Sequence, residues 1–253
     1  MIIAGISAAN FRFGNLAILA AVLLFMLQPS TSRANPTLTS GMIGTAFAVS
    51  AEGHLLTAHH LILGKSQVYV GLAPSGRWMR ATVEHVDPRL DLALLRVQLS
   101  TTPLPIALIE AAPVGIDAFV IGFPTPQSGP LDRRITAGLV SGRLTSPKNL
   151  DFWVISAAVQ KGNSGGPVLA ADGSVIGMIQ GVMGPKLRAD NAAIVEIPQN
   201  VNYALQSADL IQFLKKTNLN FRVSKLNLNL KSTAFSVYRE SAGSIFAVVT
   251  GQG

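Results

Sequence analysis

Ser164 lies in a stretch that could hold either a tight turn or a nucleophile. The sequence KGNSGGPV, residues 161–168, surrounds this serine with glycines and an asparagine, and both residue types favour tight turns. A serine hydroxyl becomes a useful nucleophile only when a neighbouring base takes its proton. Glycines beside it would let main-chain N–H groups turn toward an oxyanion. Residues elsewhere in the chain are needed to distinguish a turn residue from a nucleophile.

Two further stretches supply residues that suit acid–base chemistry. GHLLTAHHLI, residues 53–62, has the pattern of a strand that ends in two adjacent histidines, and DPRLDLALLRV, residues 87–97, places Asp91 at the start of another apolar strand. Histidine titrates near neutral pH, and a buried carboxylate can fix its tautomer and stabilise its cation. The order histidine, aspartate, serine along the chain is that of the chymotrypsin-like arrangement.

The elements that must position these residues are predominantly strands. Short apolar runs alternate with turn signals between residues 41 and 206, and about a dozen strands at a spacing of roughly 8–12 residues favour a β-sandwich or β-barrel. One helix is predicted from Ser207 to about Thr217, and weaker strand patterns follow at 224–230 and 244–249. The predicted strands before the helix lie at 44–49, 54–58, 67–73, 80–86, 92–97, within 112–124, and at 134–144, 151–159, 166–170, 174–181 and 201–206.

At the three stretches the sequence resembles the trypsin-like serine peptidases. TAHH resembles their histidine motif, DLALL their aspartate motif and GNSGGPV their serine motif. The similarity is greater to the Deg/HtrA group of exported bacterial peptidases, which shares G-x-L-L-T-x-x-H, DPRxDLALLRV, VIGFP, ITAGLVSG and DGSVIGM. It covers about residues 41–217. The resemblance implies an all-β fold of two antiparallel six-stranded barrels with a C-terminal helix, and a site in the cleft between the barrels.

The resemblance also implies a role for each site residue. His60 would be the general base, Asp91 the carboxylate that orients it, and Ser164 the nucleophile. The main-chain N–H groups of Gly162 and Ser164 would form the oxyanion hole. Ala158 stands six residues before the serine, where trypsin has its specificity aspartate. Because alanine carries no charge, we expect a pocket for small or medium apolar side chains.

Two of these assignments have a competitor nearby. His59 adjoins His60, and the spacing of the T-A-x-H motif from Thr57 favours His60. Asp87 competes with Asp91, but it precedes a proline and suits the first position of a turn. We therefore favour His60 and Asp91.

The sequence departs from the family at two places, and each departure excludes one property of the related peptidases from the expectations for this chain. Asn163 stands where the digestive enzymes have an aspartate that pairs with a new N-terminal amine. An amide has no charge for that pair, so we predict no activation by zymogen cleavage. Residues 218–253 are too few for the peptide-binding PDZ domain that Deg-type peptidases usually carry, and we assign them no role.

The N-terminal residues have the pattern of an export signal. Arg12 precedes an apolar run from Leu16 to Leu27, and small residues follow up to Ala34. The run is shorter than the ~20 residues that span a bilayer, although an uncleaved anchor stays open as an alternative. Either interpretation places the rest of the chain outside the cytoplasm, in the periplasm or secreted. The predicted divisions are a signal peptide, 1–34; an N-terminal barrel, 41–110; a C-terminal barrel with helix, 111–217; and an extension, 218–253.

Composition excludes several other classes of site. The chain has no cysteine and only four histidines, without H-E-x-x-H spacing, so we predict no metal site. Its net charge of +7 is not gathered into basic runs, so we predict no nucleic-acid partner. We expect polypeptide substrates as partners. We expect an association with a membrane only if the N-terminal segment is not cleaved. The sequence does not indicate an oligomeric state.

Together these features predict a serine endopeptidase that acts on exported or misfolded proteins through an acyl-enzyme and needs no cofactor. Two alternatives stay open. One is a non-catalytic, chaperone-like module that binds peptides on a peptidase fold, since fold alone does not establish function. The other is an esterase or transferase that uses the same three residues.

Overall fold

The computed structural model describes residues 42–72, 77–109, 113–180 and 201–251, and the predicted signal segment lies outside these ranges. Within them the chain forms fifteen strands and two α-helices. None of the helices in these ranges has the length and apolar character needed to cross a membrane. The elements are β1 Ile43–Ala48, β2 His54–Ala58, β3 Gln67–Gly71, β4 Trp78–Arg80, β5 Thr82–Asp87, β6 Leu92–Arg96, β7 Ile106–Leu108, β8 Asp117–Gly122, β9 Arg134–Thr145, β10 Asp151–Ile155, β11 Pro167–Leu169, β12 Val175–Ile179, β13 Asn202–Gln206, α1 Ser207–Lys215, β14 Val223–Lys225, α2 Ala234–Glu240 and β15 Ile245–Gly251.

The first sheet has seven strands in the order β4-β3-β15-β1-β2-β6-β5, and every pair in it is antiparallel. Its two end strands, β4 and β5, are separated along the chain only by Ala81. The sheet therefore curves into a half-barrel whose two end strands both belong to one bent stretch, 78–87. The N–H of Ala81 donates to the carbonyl of Val68 in β3 at 2.8 Å and extends the pairing across the bend.

The last strand of the chain, β15, lies inside this first sheet. It pairs with β1 on one side, where Thr45 faces Ala247, and with β3 on the other, where Tyr69 faces Val249. Residues 245–249 are at most 1% exposed. A run that is apolar on both faces suits a strand with both faces covered. The C-terminal residues therefore fill a central position in the sheet that also carries the predicted histidine and aspartate.

The second sheet closes into a six-stranded antiparallel barrel. Its order is β11-β8-β9-β10-β13-β12, and a further β11–β12 pairing joins the ends. The short strands β7 and β14 extend it in parallel pairings beside β12. Trp153 of β10 is buried, and its indole N–H donates to the carbonyl of Ile176 at 2.9 Å.

The predicted fold class is thus confirmed: the chain is mostly β, with two barrel-like sheets and a helix after the second. The side chains of Phe47, Leu55, Leu94 and Phe246 are fully buried or nearly so and fill the first sheet's part of the core. Helix α1 packs Leu210 and Leu214 into the same continuous core. This core supports the ends of β2 and β6, where the candidate catalytic residues lie.

Candidate active site

The pairing of β2 with β6 brings the histidine and aspartate stretches together. The two strands are antiparallel neighbours, with Ala58 opposite Leu92. The residues that follow β2 therefore lie beside the residue that precedes β6. His60 occupies a single 3₁₀ turn, His59–Leu61, directly after β2, and Asp91 directly precedes β6.

The Asp91 carboxylate holds His60 through two hydrogen bonds. Its Oδ2 lies 2.7 Å from Nδ1 of the imidazole, and its Oδ1 accepts from the main-chain N–H of His60 at 2.8 Å. The N–H of His59 donates to the Asp91 carbonyl at 3.0 Å. With Nδ1 occupied by the carboxylate, Nε2 is the ring nitrogen left to accept a proton from another group.

The backbone of Asp91 adopts an uncommon conformation. Its φ is 53°, in the left-handed region that aspartate tolerates better than most non-glycine residues. This conformation turns the chain sharply between β5 and β6, and the carboxylate of Asp91 there meets both the ring and the backbone of His60.

The competing residues make different contacts. The Oδ1 atom of Asp87 accepts from the N–H groups of Arg89 and Leu90, each at 3.0 Å. This is the turn role that the proline after Asp87 suggests. The structure places the ring of His60, rather than that of His59, against the Asp91 carboxylate.

Ser164 lies in the loop between β10 and β11, and it is 8% exposed. Gly162 and Gly165 on either side have φ angles of +98° and +80°. A side chain at Gly162 would collide with the carbonyl of Phe123 and lie 2.7 Å from the nitrogen of Thr125. The glycines of the motif are therefore required both by their backbone angles and by close packing.

The two N–H groups that the family resemblance assigns to the oxyanion hole are those of Gly162 and Ser164. Within the described ranges neither donates to another main-chain carbonyl, whereas the intervening Asn163 N–H donates to Gln160 at 3.1 Å. Free N–H groups that flank a serine can stabilise an oxyanion that forms on an attacked carbonyl.

Ser164 and His60 lie on different sheets, and the described residues show no hydrogen bond between the Ser164 hydroxyl and the His60 ring. The sheets are joined here by the N–H of Thr45 in β1, which donates to the carbonyl of Ser164 at 2.9 Å. In ligand-free enzymes the hydrogen bonds of a catalytic set are often long and tighten only when substrate binds. The histidine–aspartate pair is thus formed, and the serine–histidine bond is not.

Ala158 lies between β10 and the serine loop and is exposed. Its carbonyl accepts from the hydroxyl of Thr136 at 2.7 Å. The preceding residue, Ala157, is buried, and its carbonyl accepts from the side-chain amide of Asn202 at 2.7 Å. These bonds fix the backbone that leads to Ser164 and leave the small, uncharged side chain of Ala158 at the surface.

Asn163 and Lys161 differ sharply in exposure. Asn163 is 5% exposed, and its Oδ1 is buried without a hydrogen-bond partner in the described part of the chain. Lys161, one residue before Gly162, is exposed. The absence of a zymogen switch, expected from Asn163, stays a prediction.

A second serine–histidine–acid row lies at the opposite end of β2 from His60. Nδ1 of His54 is 2.6 Å from the hydroxyl of Ser50, and Nε2 is 3.4 Å from Oε2 of Glu84. Burial lowers the pKa of His54 below its usual value, and Glu84 opposes that shift. Ser50 is only 2% exposed, so its hydroxyl is closed to a substrate, and we read this row as structural.

Sequence reasoning missed one buried residue at this site, Thr45. It lies in an apolar run, GTAFAV, and it is fully buried. A polar residue inside an apolar strand was the signal that could have found it, because buried polar side chains need hydrogen-bond partners.

Comparisons with known proteins indicate the family of this chain. A family model described as a trypsin-like peptidase domain matches residues 44–178. The chain is 39% identical over 173 residues to the uncharacterized protein y4bJ of Sinorhizobium fredii, a match that covers 68% of this chain and 26% of that protein. It is 32% identical over 192 residues to mitochondrial serine protease HTRA2 of Bos taurus, covering 72% of this chain and 38% of HTRA2.

Further matches extend the similarity to bacterial proteins and to solved structures. The chain is 30% identical over 159 residues to a probable periplasmic serine endoprotease, DegP-like, of Chlamydia muridarum, covering 61% of this chain and 31% of that protein. A solved structure of the HtrA-type protease AlgW with a decapeptide superposes with a TM-score of 0.55 at 26% identity, covering 68% of this chain and 51% of the AlgW chain.

The chain spans less than half the length of the first curated relatives that it matches, 26%, 43% and 42% respectively. The family model nevertheless covers more than half of the chain, including the histidine, aspartate and serine motifs. The matches to HTRA2 and to the AlgW structure cover 72% and 68% of this chain. The chain therefore belongs to the trypsin-like serine peptidase family and, within it, to the Deg/HtrA group.

Proposed function

We propose that this chain is a serine endopeptidase in which His60, Asp91 and Ser164 form the catalytic triad. The main support is the pair of hydrogen bonds from the Asp91 carboxylate to the ring and backbone of His60. In the described part of the chain, the N–H groups of Gly162 and Ser164 in the serine loop donate to no main-chain carbonyl. Family membership supports the same chemistry.

The reaction proceeds by acyl transfer. Nε2 of His60 takes the proton of the Ser164 hydroxyl as its Oγ attacks the scissile carbonyl. The carbonyl oxygen becomes negative and accepts hydrogen bonds from the N–H groups of Gly162 and Ser164. His60 then gives its proton to the leaving amine, and the carbon–nitrogen bond breaks to leave an acyl-enzyme. A water molecule, deprotonated by His60, releases the acid and restores Ser164.

The substrates we propose are polypeptides, in particular exported or misfolded proteins. The solved HtrA-type relative AlgW carries a decapeptide, and DegP-like relatives are named as probable periplasmic endoproteases. The signal-like pattern of residues 1–34 supports export to the same kind of compartment. The exposed, uncharged Ala158 supports a preference for small or medium apolar residues before the cut bond.

A peptidase assay tests the proposal. We expect the purified protein to degrade unfolded casein, and a matched peptide series to be cut faster after Ala, Val or Leu than after Lys or Arg. The variant Ser164→Ala is expected to lose this activity, because no hydroxyl remains to attack. The control is Ser50→Ala, which removes the buried hydroxyl of the second serine–histidine row and leaves the proposed triad intact.

The outcomes separate the alternatives. Casein degradation that survives in Ser164→Ala would contradict the proposed nucleophile. Binding of casein without cleavage by the folded native protein would favour the chaperone-like module. Hydrolysis of simple esters but of no peptide would favour an esterase, and faster cleavage after Lys or Arg would overturn the proposed pocket preference.

A further inference from the structure

Thr45 is a buried polar residue at the centre of β1. It is fully buried, and its neighbours Ala46, Phe47 and Ala48 are fully buried and apolar. A hydroxyl in such surroundings costs stability unless it is hydrogen-bonded. Its partners therefore indicate why a threonine stands here.

Both hydrogen-bond partners of the Thr45 hydroxyl in the described residues lie in loops that join strands of the second sheet, at or near the serine loop. The hydroxyl donates to the carbonyl of Gly162 at 2.7 Å and accepts from the N–H of Phe123 at 3.0 Å. The main-chain N–H of Thr45 donates to the carbonyl of Ser164 at 2.9 Å. One residue of the first sheet thus holds the carbonyls of both residues whose N–H groups are assigned to the oxyanion hole.

Thr45 is itself held from the first sheet. The hydroxyl of Thr57, in β2, donates to the carbonyl of Thr45 at 2.7 Å, and Thr57 is fully buried. Thr57 lies three residues before His60 in the same strand and turn. Buried hydrogen bonds therefore connect β2, the strand that precedes His60, through Thr45 to the loop that contains Ser164.

The glycines of the loop are packed directly against this threonine. An added Cβ at Gly165 would lie 2.5 Å from the Thr57 hydroxyl and collide with the Thr45 carbonyl. One at Gly122 would lie 2.8 Å from the Thr45 hydroxyl, and one at Gly166 would lie 3.3 Å from its methyl group. The absence of side chains lets the loop approach close enough for Thr45 to bond its carbonyls.

We infer that Thr45 is a positioning residue for the oxyanion loop, acting on the reaction through Gly162 and Ser164 without touching substrate. The inference rests on the proposed peptidase function. Two bonds to the carbonyls of residues 162 and 164 fix the orientation of the loop backbone, and an oxyanion hole depends on fixed donors. Displacements of about 1 Å at such a site can cost about 100-fold in rate.

The test compares Thr45→Val with Thr45→Ser. Valine keeps the shape of threonine and removes the hydroxyl, whereas serine keeps the hydroxyl. The measurement is the second-order rate constant for labelling of Ser164 by a fluorophosphonate. We expect Thr45→Val to lower it by about 10–100-fold, less than the ~100–1,000-fold that removal of an oxyanion donor itself costs, because both N–H donors remain. Thr45→Ser is expected to restore it to within a few-fold of the native value. The pH profile of labelling is expected to keep its shape, because the His60–Asp91 pair makes no bond to Thr45.

Thr101→Val is the matched control for stability. The Thr101 hydroxyl also donates to a distant carbonyl, that of Ser50 at 2.6 Å, so its loss is expected to lower the melting temperature without slowing labelling. A Thr45→Val rate within twofold of native would overturn the inference. If Thr45→Val does not fold, Thr45→Ser and Thr45→Ala, which differ by the hydroxyl alone, give the same comparison, and equal rates would overturn it. No labelling of the folded native protein would instead contradict the proposed function.

Discussion

Asp91→Asn is expected to lower kcat for peptide cleavage by about 10,000-fold, as in other serine peptidases of this order. The asparagine oxygen can replace only one carboxylate oxygen. If it keeps the bond to the His60 N–H, now made at 2.8 Å, its NH2 group faces Nδ1. Nδ1 must then accept, the proton moves to Nε2, and the ring cannot take the Ser164 proton.

The measurement is kcat on the best peptide of the substrate series, together with the melting temperature. Asp87→Asn is the matched control, because its amide oxygen can still accept from the N–H groups of Arg89 and Leu90, and its activity is expected to stay within a few-fold of native. An Asp91→Asn protein with kcat within tenfold of native would show that another group orients the histidine.

The second large effect concerns stability. Phe246→Ala, in the last strand, is expected to lower the free energy of unfolding by about 3–5 kcal/mol. Phe246 is fully buried in the core of the first sheet, in a strand paired on both sides. That loss is a large share of the ~5–15 kcal/mol by which domains are stable. Deletion of residues 245–253 is expected to prevent folding, since β1 and β3 would each lose a partner.

Urea denaturation of the variants measures this effect. The control is Phe235→Ala in α2, a phenylalanine of the same C-terminal stretch that is 69% exposed. Its change is expected to stay within about 0.5 kcal/mol. Equal stability of both variants with the native protein would contradict the place of the C-terminal strand inside the first sheet.

The residues of the candidate site could be predicted because the sequence next to each of them indicates its position at a strand end or in a tight loop. A strand pattern that ends at Ala58 places His60 at a strand end, and one that starts at Leu92 does the same for Asp91. The glycines around Ser164 indicate a tight loop from composition alone. Most strands between β1 and β13 also follow from short apolar runs bounded by turn residues.

The place of β15 could not be predicted, because it depends on pairing between distant parts of the chain. The pattern at 244–249 indicated a strand, but nothing local in it indicates β1 and β3 as its partners. The predicted boundaries 41–110 and 218–253 stay predictions. Within the described ranges, β7, at 106–108, joins the second sheet, and of the two strands after residue 218, β14 joins the second sheet and β15 the first.

The short elements were missed for a related reason. β7 pairs with β12 at a single position, Val175 with Ile106. It has only three residues, too few to show the alternation of apolar and polar side chains that indicates a strand. Helix α2 has seven residues, and its main signal is the cap, where Thr233 accepts from the N–H of Ser236 at 3.2 Å. Thr45 was overlooked because its partners belong to another sheet.

Fluorophosphonate labelling of the purified protein, followed by mass spectrometry of the labelled peptide, shows directly whether His60 and the oxyanion loop activate Ser164. A serine reacts with this probe only when a base and an oxyanion hole activate it. We expect a single label on Ser164, absent from both Ser164→Ala and His60→Ala. A folded native protein that stays unlabelled, or a label that persists in Ser164→Ala, would contradict this expectation.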